Sequence, residues 1–200
     1  MQISQNYYDS PSHGPSLIKR GTNAEIIDYL KETLLEQKHL DYRVEGNFIE
    51  SELFQTLNID LPLASNNEGR EFLIKDITAL ARIFFGLKKG KTARLQLEIV
   101  KTDMCRLFHV DNIRQRLLCT YLGPGTEWLD DSNLNRDGIG RGCNSRIVKD
   151  FEKINRAEAF EVLLLKGVMY EGRQFAHAHR SPPIEKKAIT RVLLKIDEYE

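Results

Sequence analysis

His109 and Asp111, two apart in Phe108-His109-Val110-Asp111-Asn112, are side chains of the types that ligate divalent metals. On a strand, residues at this spacing leave the same face, so imidazole and carboxylate can share one ion. Taken alone, the pair equally describes two polar residues at a strand end. Far downstream, His179 in His179-Arg180-Ser181-Pro182-Pro183, followed by Arg191 ahead of Val192-Leu193-Leu194, supplies a third ligand and an anion partner. Two histidines and one carboxylate on one triangular face leave positions open on the metal. That arrangement suits non-haem Fe(II) oxygen chemistry, although zinc accepts the same donors and the affinity order favours it. An arginine such as Arg191 can clamp a carboxylate through two parallel hydrogen bonds.

Other residues compete for or support these roles. His177 lies on the same strand face as His179, and only one of them need reach the metal. His179 is preferred because it lies closer to Arg191, leaving His177 as a residue that supports the site. Thr120 and Tyr121 follow the acidic ligand on a strand, where a hydroxyl can hydrogen-bond a bound carboxylate. Only one of them faces the pocket; Tyr121 is taken as the contact and Thr120 as its support. Asn112 can orient the Asp111 carboxylate or simply make a turn. Glu127 and Trp128 are candidates for a pocket wall. Arg180 points to the opposite strand face from His179, which weakens its claim as an anion partner. Cys105 is four residues before His109, about 13 Å away on a strand and too far to share a tetrahedral zinc site. Gly123-Pro124-Gly125-Thr126 reads as a turn and lacks the Lys-Ser/Thr ending of a phosphate loop. Neither Ser/His/Asp nor Cys/His nucleophilic catalysis has a local signature.

The elements that must position these residues fall into two halves. Asn23 caps a helix with Ile26, Ile27, Leu30, Leu34 and Leu35 at helical spacing, and a longer helix runs from Asn67 to Leu87 through Phe72, Leu73, Ile77, Leu80, Ala81, Phe84 and Phe85. Lys88-Lys89-Gly90 ends it. From Ala93 the period changes to two, with Leu95, Leu97 and Ile99 alternating against Arg94, Gln96 and Glu98. Short apolar segments at Met104 to Val110, Arg116 to Leu122, Phe160 to Val168, Phe175 to His179 and Ile189 to Ile196 read as further strands. Asp130 to Gly142 reads as a long loop, and Ser145 to Ile154 as a short helix. Residues 1–22 read as an irregular arm, residues 23–90 as a helical part and residues 91–200 as a β-rich part of one domain.

Composition excludes several classes. The 200 residues carry 29 Lys plus Arg against 29 Asp plus Glu, so no bulk attraction to nucleic acid is expected. There is no apolar run of membrane-spanning length and the start of the sequence is polar, so a cytoplasmic protein without membrane contact is expected. Three cysteines without CxxC spacing argue against a disulfide framework or a zinc ribbon. Substrate and oligomeric state are not legible.

The order His-x-Asp, distal His, then Arg in a β-rich region resembles the Fe(II)/2-oxoglutarate dioxygenase superfamily. That resemblance implies an α+β fold with a double-stranded β-helix (jelly roll) core behind N-terminal packing helices. It also implies His109, Asp111 and His179 as iron ligands, 2-oxoglutarate as cosubstrate, and Arg191 as the residue that binds its far carboxylate. A cupin-like zinc-binding protein without redox turnover is the alternative. A narrower likeness covers most of the C-terminal half. Phe108-His109-Val110-Asp111-Asn112, Thr120-Tyr121-Leu122-Gly123-Pro124-Gly125-Thr126-Glu127-Trp128 and His179-Arg180-Ser181-Pro182-Pro183 are similar to a bacterial family known as domain of unknown function 1826.

Overall fold

Period-two segments build the sheets and helical stripes cover one side of the larger one. The computed structural model describes residues 14–33, 39–45, 47–65, 67–86 and 92–199. Its elements run β1 (Ser16–Ile18), α1 (Ala24–Thr33), β2 (Leu40–Val44), α2 (Glu50–Asp60), α3 (Asn67–Gly86), β3 (Ala93–Val100), β4 (Gln115–Leu122) and β5 (Glu127–Trp128). They continue with β6 (Asn155–Arg156), β7 (Val162–Lys166), α4 (Val168–Glu171), β8 (His179–Arg180) and β9 (Arg191–Glu198), with short 3-10 turns between β5 and β6. Six strands form an antiparallel sheet in the order β1-β7-β4-β9-β3-β2, and β6-β5-β8 form a three-stranded antiparallel sheet. The fold is mixed helix and antiparallel sheet. No helix among the described residues is long and apolar enough to cross a membrane.

α1 begins where its sequence signal places it. The Asn23 side-chain oxygen accepts the Ile26 N–H at 3.0 Å and so satisfies a donor at the open end of the helix. α1 and α3 approach each other so closely at Gly69 that a Cβ there would lie 2.0 Å from the Glu25 carbonyl oxygen; a larger residue would force them apart. Tyr29, Leu30, Leu73, Ile77, Leu80 and Phe84 then pack on the large sheet.

Alternation along β4 and β9 sorts the side chains of the large sheet onto its two faces. Leu117, Cys119 and Tyr121 on β4, with Val192, Leu194 and Ile196 on β9, join the core beneath the helices. Leu118 and Leu193 belong to a second cluster with Trp128, Leu163, Leu165 and Ile184, on the side of the small sheet. The register pairs Arg116 with Asp197, Leu118 with Lys195 and Thr120 with Leu193. These residues therefore share the face turned away from the helices. Each leucine removed from water on either side contributes about 2 kcal/mol.

Several expectations are corrected. Residues 14–22 are not an irregular arm: β1 pairs with β7, and Arg20 reaches Asp76 with both terminal nitrogens, Nη2 at 2.8 Å. The rest of that arm, residues 1–13, lies outside the described residues, as do Leu34, Leu35 and Leu87 to Gly90. Met104 to Val110 is not a strand, because its polar groups are engaged elsewhere. The Asp103 carboxylate accepts the Ile184 and Glu185 N–H groups at 2.7 and 2.9 Å, and the Cys105 carbonyl accepts the Ser181 N–H at 2.9 Å. Only a single bridge, His109 to His179, remains of the ladder. Phe175 to His179 likewise contributes only the start of β8. β2, α2, α4 and the short β5 and β6 had no signal in the sequence, and Ser145 to Ile154 carries 3-10 turns at Asn144–Arg146 and Phe151–Lys153 in place of a helix.

Candidate metal centre

The bridge between His109 and His179 is what assembles the site. Each residue donates its backbone N–H to the other's carbonyl at 3.0 Å, which sets the two rings 4.6 Å apart. Asp111, two residues on, then lies beneath both. Nε2 of His109 is 3.4 Å from Asp111 Oδ1, and Nε2 of His179 is 3.2 Å from Asp111 Oδ2. One ligand atom from each residue lies within 4.8 Å of the other two.

The tautomers follow from the outer partners. His109 Nδ1 faces the Leu107 carbonyl at 2.9 Å and His179 Nδ1 faces the His177 carbonyl at 3.2 Å. A ring nitrogen against a carbonyl must carry the hydrogen, so a neutral ring has its Nε2 lone pair free for a metal, whereas a protonated ring donates its Nε2–H to Asp111. Burial opposes charge on Asp111, but hydrogen bonds from His109 and His179 and the Arg116 cation outweigh it, holding the carboxyl well below its usual range. Burial also opposes charge on His109, yet Asp111 and the Leu107 carbonyl raise its pKa above the ordinary value. Two nitrogens and one anionic oxygen, converging from one side, form a donor set that fits a divalent cation with positions left open.

The predicted supporting residues divide. Arg191 enters the cavity that His109 and His179 line, together with Arg116, Thr126 and Leu193. It is 1% exposed, and its Nη2 donates to Thr120 Oγ1 at 3.2 Å and Thr126 Oγ1 at 3.3 Å. Its buried Nε–H has no acceptor, and no carboxylate among the described residues forms an ion pair with it. Burial pushes its pKa down to about 10, which leaves it a cation at neutral pH. Gly123 makes this placement feasible. It adopts φ +83, and a Cβ there would sit 2.7 Å from the Thr190 oxygen and 3.0 Å from Arg191 Cγ.

Tyr121 does not face this cavity. Alternation turns it to the helices, where its hydroxyl donates to Asp76 Oδ2 at 2.6 Å; Thr120 is the residue of the pair that reaches Arg191. The His177 ring is also directed elsewhere, its Nδ1 accepting the Lys166 N–H at 3.0 Å, so this residue serves the site through its carbonyl. Burial, reinforced by the Lys166 and Arg136 cations, pushes its imidazole down to about 4. Asn112 is exposed and makes no hydrogen bond to the three ligands. Glu127 is buried and ion-paired with Arg156 and, at 2.7 Å, with Arg180, whose guanidinium stacks 4.6 Å over Phe108. The reading of the sequence overlooks Arg116, which donates to Asp111 Oδ2; counting back by twos from Thr120 along β4 would have placed it on the cavity face.

The family model described as "Protein of unknown function (DUF1826)" matches residues 8–197. The chain belongs to this family. Membership names no reaction, so the chemistry must be argued from the site. No curated protein matches the chain. Among solved structures, the dioxygenase for auxin oxidation 1 of Arabidopsis thaliana, in binary complex with 2-oxoglutarate, is 13% identical; 88% of this chain and 72% of that one are covered, with a TM-score of 0.45. The Fe(II)/α-ketoglutarate-dependent dioxygenase TqaL is 12% identical over 90% of this chain and 76% of its own, with a TM-score of 0.48. The dioxygenase for auxin oxidation in rice is 12% identical over 92% and 70%, with a TM-score of 0.46.

Proposed function

We propose that this protein is a non-haem Fe(II)/2-oxoglutarate-dependent dioxygenase, a hydroxylase or demethylase, with His109, Asp111 and His179 holding the iron and Arg191 the far carboxylate of the keto acid. Arg191 is the observation that carries the reading. A guanidinium buried to 1% exposure with, among the described residues, a spare N–H and no ion-paired carboxylate, Glu127 acting on it only at longer range, is costly unless an anion completes it, and it lies in the cavity that His109 and His179 line. Two parallel charge-assisted hydrogen bonds to a carboxylate would satisfy it.

Each residue then has a task. His109 and His179 present Nε2 lone pairs because the Leu107 and His177 carbonyls hold their Nδ1 hydrogens. Asp111 supplies the anionic oxygen. Thr120 and Thr126 aim Arg191, and the apolar Val100, Leu118 and Leu193 that also line the cavity would exclude water from the acid's methylene chain. Iron bound by these ligands supplies dioxygen chemistry in which the keto acid becomes succinate and carbon dioxide and the second oxygen atom goes to the substrate. The two sheets are read as the facing halves of a double-stranded β-helix, and a reducing cytoplasm would keep the free thiols Cys105, Cys119 and Cys143 and a ferrous ion reduced.

Zinc satisfies the same three donors, and a cupin-like zinc-binding protein without turnover would share them. Anaerobic titration with Fe(II) and 2-oxoglutarate distinguishes the two. The oxygenase is expected to develop a metal-to-ligand absorption band and, under oxygen, to form succinate. A protein that takes up iron but never the keto acid would refute this proposal.

A further inference from the structure

Asp111 has a third partner besides the two histidines. Arg116, on β4 across from Asp197 on β9, donates Nη1 to Asp111 Oδ2 and presents its other edge to Asp197, with Nε at 2.6 Å from Oδ1 and Nη2 at 2.7 Å from Oδ2. Asp197 is 1% exposed. We infer that Arg116, anchored by Asp197, is the positioning residue that fixes Asp111 as a one-oxygen metal ligand; this rests on the metal-centre reading above.

Three features carry the inference. The first is charge: the two-bonded Arg116–Asp197 pair is neutral as a unit, so it directs a hydrogen bond at Asp111 without opposing a dication as a lone guanidinium would. The second is freedom of movement. The Asp111 backbone is held because its carbonyl accepts the Val168 N–H at 2.9 Å, but the residue lies outside any strand, so its side-chain torsions are the motion left to restrain. Arg116 is the one partner of that carboxylate, among the described residues, that is not itself a candidate ligand. The third is the choice of oxygen. Arg116 occupies a lone-pair direction of Oδ2, which leaves Oδ1 as the freer donor and disfavours chelation through both oxygens. One-oxygen ligation keeps more of the metal's positions open.

The test uses Co(II) as the probe and the whole chain without other metal. Co(II) affinity is measured by competition with a chromophoric chelator, coordination by the visible Co(II) spectrum, and folding by thermal unfolding. Two variants are compared: Arg116→Lys, which keeps the charge beside Asp197 but loses the fork, and the double change Arg116→Gln with Asp197→Asn, which leaves no unpaired buried carboxylate. Each folded variant is expected to bind Co(II) about 10–100-fold more weakly than the wild type, the usual effect of losing an outer partner of a ligand. Its visible bands are expected to weaken as the freed carboxylate chelates and the coordination number rises. Wild-type affinity and spectrum in whichever variant folds would overturn the role of Arg116. A wild-type chain that binds no Co(II) would overturn the metal-centre reading and this inference with it.

Discussion

Replacing Arg191 by methionine separates what the residue does for the fold from what it does for a ligand. In the protein alone, the guanidinium is 1% exposed and has two threonine hydroxyls as hydrogen-bond partners and, among the described residues, no ion-paired carboxylate. Substituting a buried ion pair by well-packed apolar residues is neutral or stabilising by about 1–4 kcal/mol, and a buried cation without an ion-pair partner has less attraction to lose. Against that stands the loss of two hydrogen bonds at about 1 kcal/mol each, partly recovered as the hydroxyls reorient. Arg191→Met is therefore expected to be as stable as the wild type or more so by about 1 kcal/mol. For a chain of 200 residues that corresponds to a rise in Tm of about 2–4 °C. Ligand binding should move the other way. Losing two charge-assisted hydrogen bonds, at about 1.5–3 kcal/mol each, lowers 2-oxoglutarate affinity by at least ~100-fold. Thermal unfolding with and without the keto acid, on protein loaded anaerobically with Fe(II), reads both effects, since saturating ligand at ~100 times its Kd stabilises the wild type by about 2.7 kcal/mol. Keto-acid affinity unchanged in the variant would refute the cosubstrate role, and a loss of several kcal/mol in stability would show that Arg191 is a structural cation.

Four other changes probe the surroundings and the rest of the fold. Thr120→Val should weaken keto-acid binding several-fold, whereas Tyr121→Phe should leave it unchanged and cost about 1–3 kcal/mol in urea unfolding through the lost bond to Asp76; the reverse pattern would contradict the assignment of faces. Gly123→Ala should cost about 1–3 kcal/mol because φ is +83 there, and should weaken keto-acid binding because the new Cβ meets Thr190 beside Arg191. The backbone N–H groups of Glu185 and Ile184 hold the Asp103 carboxyl below its usual range. Its folded pKa is lower than its unfolded one, so this clamp is complete above pH ~4 and is lost as pH falls through the folded value. The Ile184 and Glu185 amide resonances should shift over that acidic range in the wild type and stay put in Asp103→Asn.

The legible parts of the fold were those where one face is polar. α3 and β3 each carry one apolar stripe against charged neighbours, and Asn23 announces the start of α1. β4 is different: it is buried on both faces, so its sequence reads as a nearly continuous apolar run and does not say which of Thr120 and Tyr121 faces the cavity. α2 escaped notice because Phe54 and Ile59 are exposed while Leu53 and Leu57 are buried, so its apolar residues do not trace one stripe. β1 is only three residues long and gains its order from β7 and from the Arg20–Asp76 pair, contacts that no local pattern encodes. At the site, residue types and order singled out His109, Asp111 and His179, whose ligand atoms the fold brings within 4.8 Å of one another, and Arg191, which enters the cavity that the two histidines line. The geometry joining them was not legible: the two histidines meet through one isolated bridge between a loop residue, His109, and the first residue of β8, His179. Arg116 reads as a charge near the start of a strand until its two aspartate partners are seen.

That bridge also dictates when the centre can exist. His109 and His179 come from opposite ends of the β-rich half, and closing so long a loop must precede any reward from the contact it makes. A chain emerging from the ribosome has His109 and Asp111 in place well before β8 is made, but the third ligand and Arg191 arrive only with the last strands. Under the proposed function, metal capture by this set of ligands would have to wait for β8, and a chain stalled before β8 would hold at most the weak His-x-Asp pair.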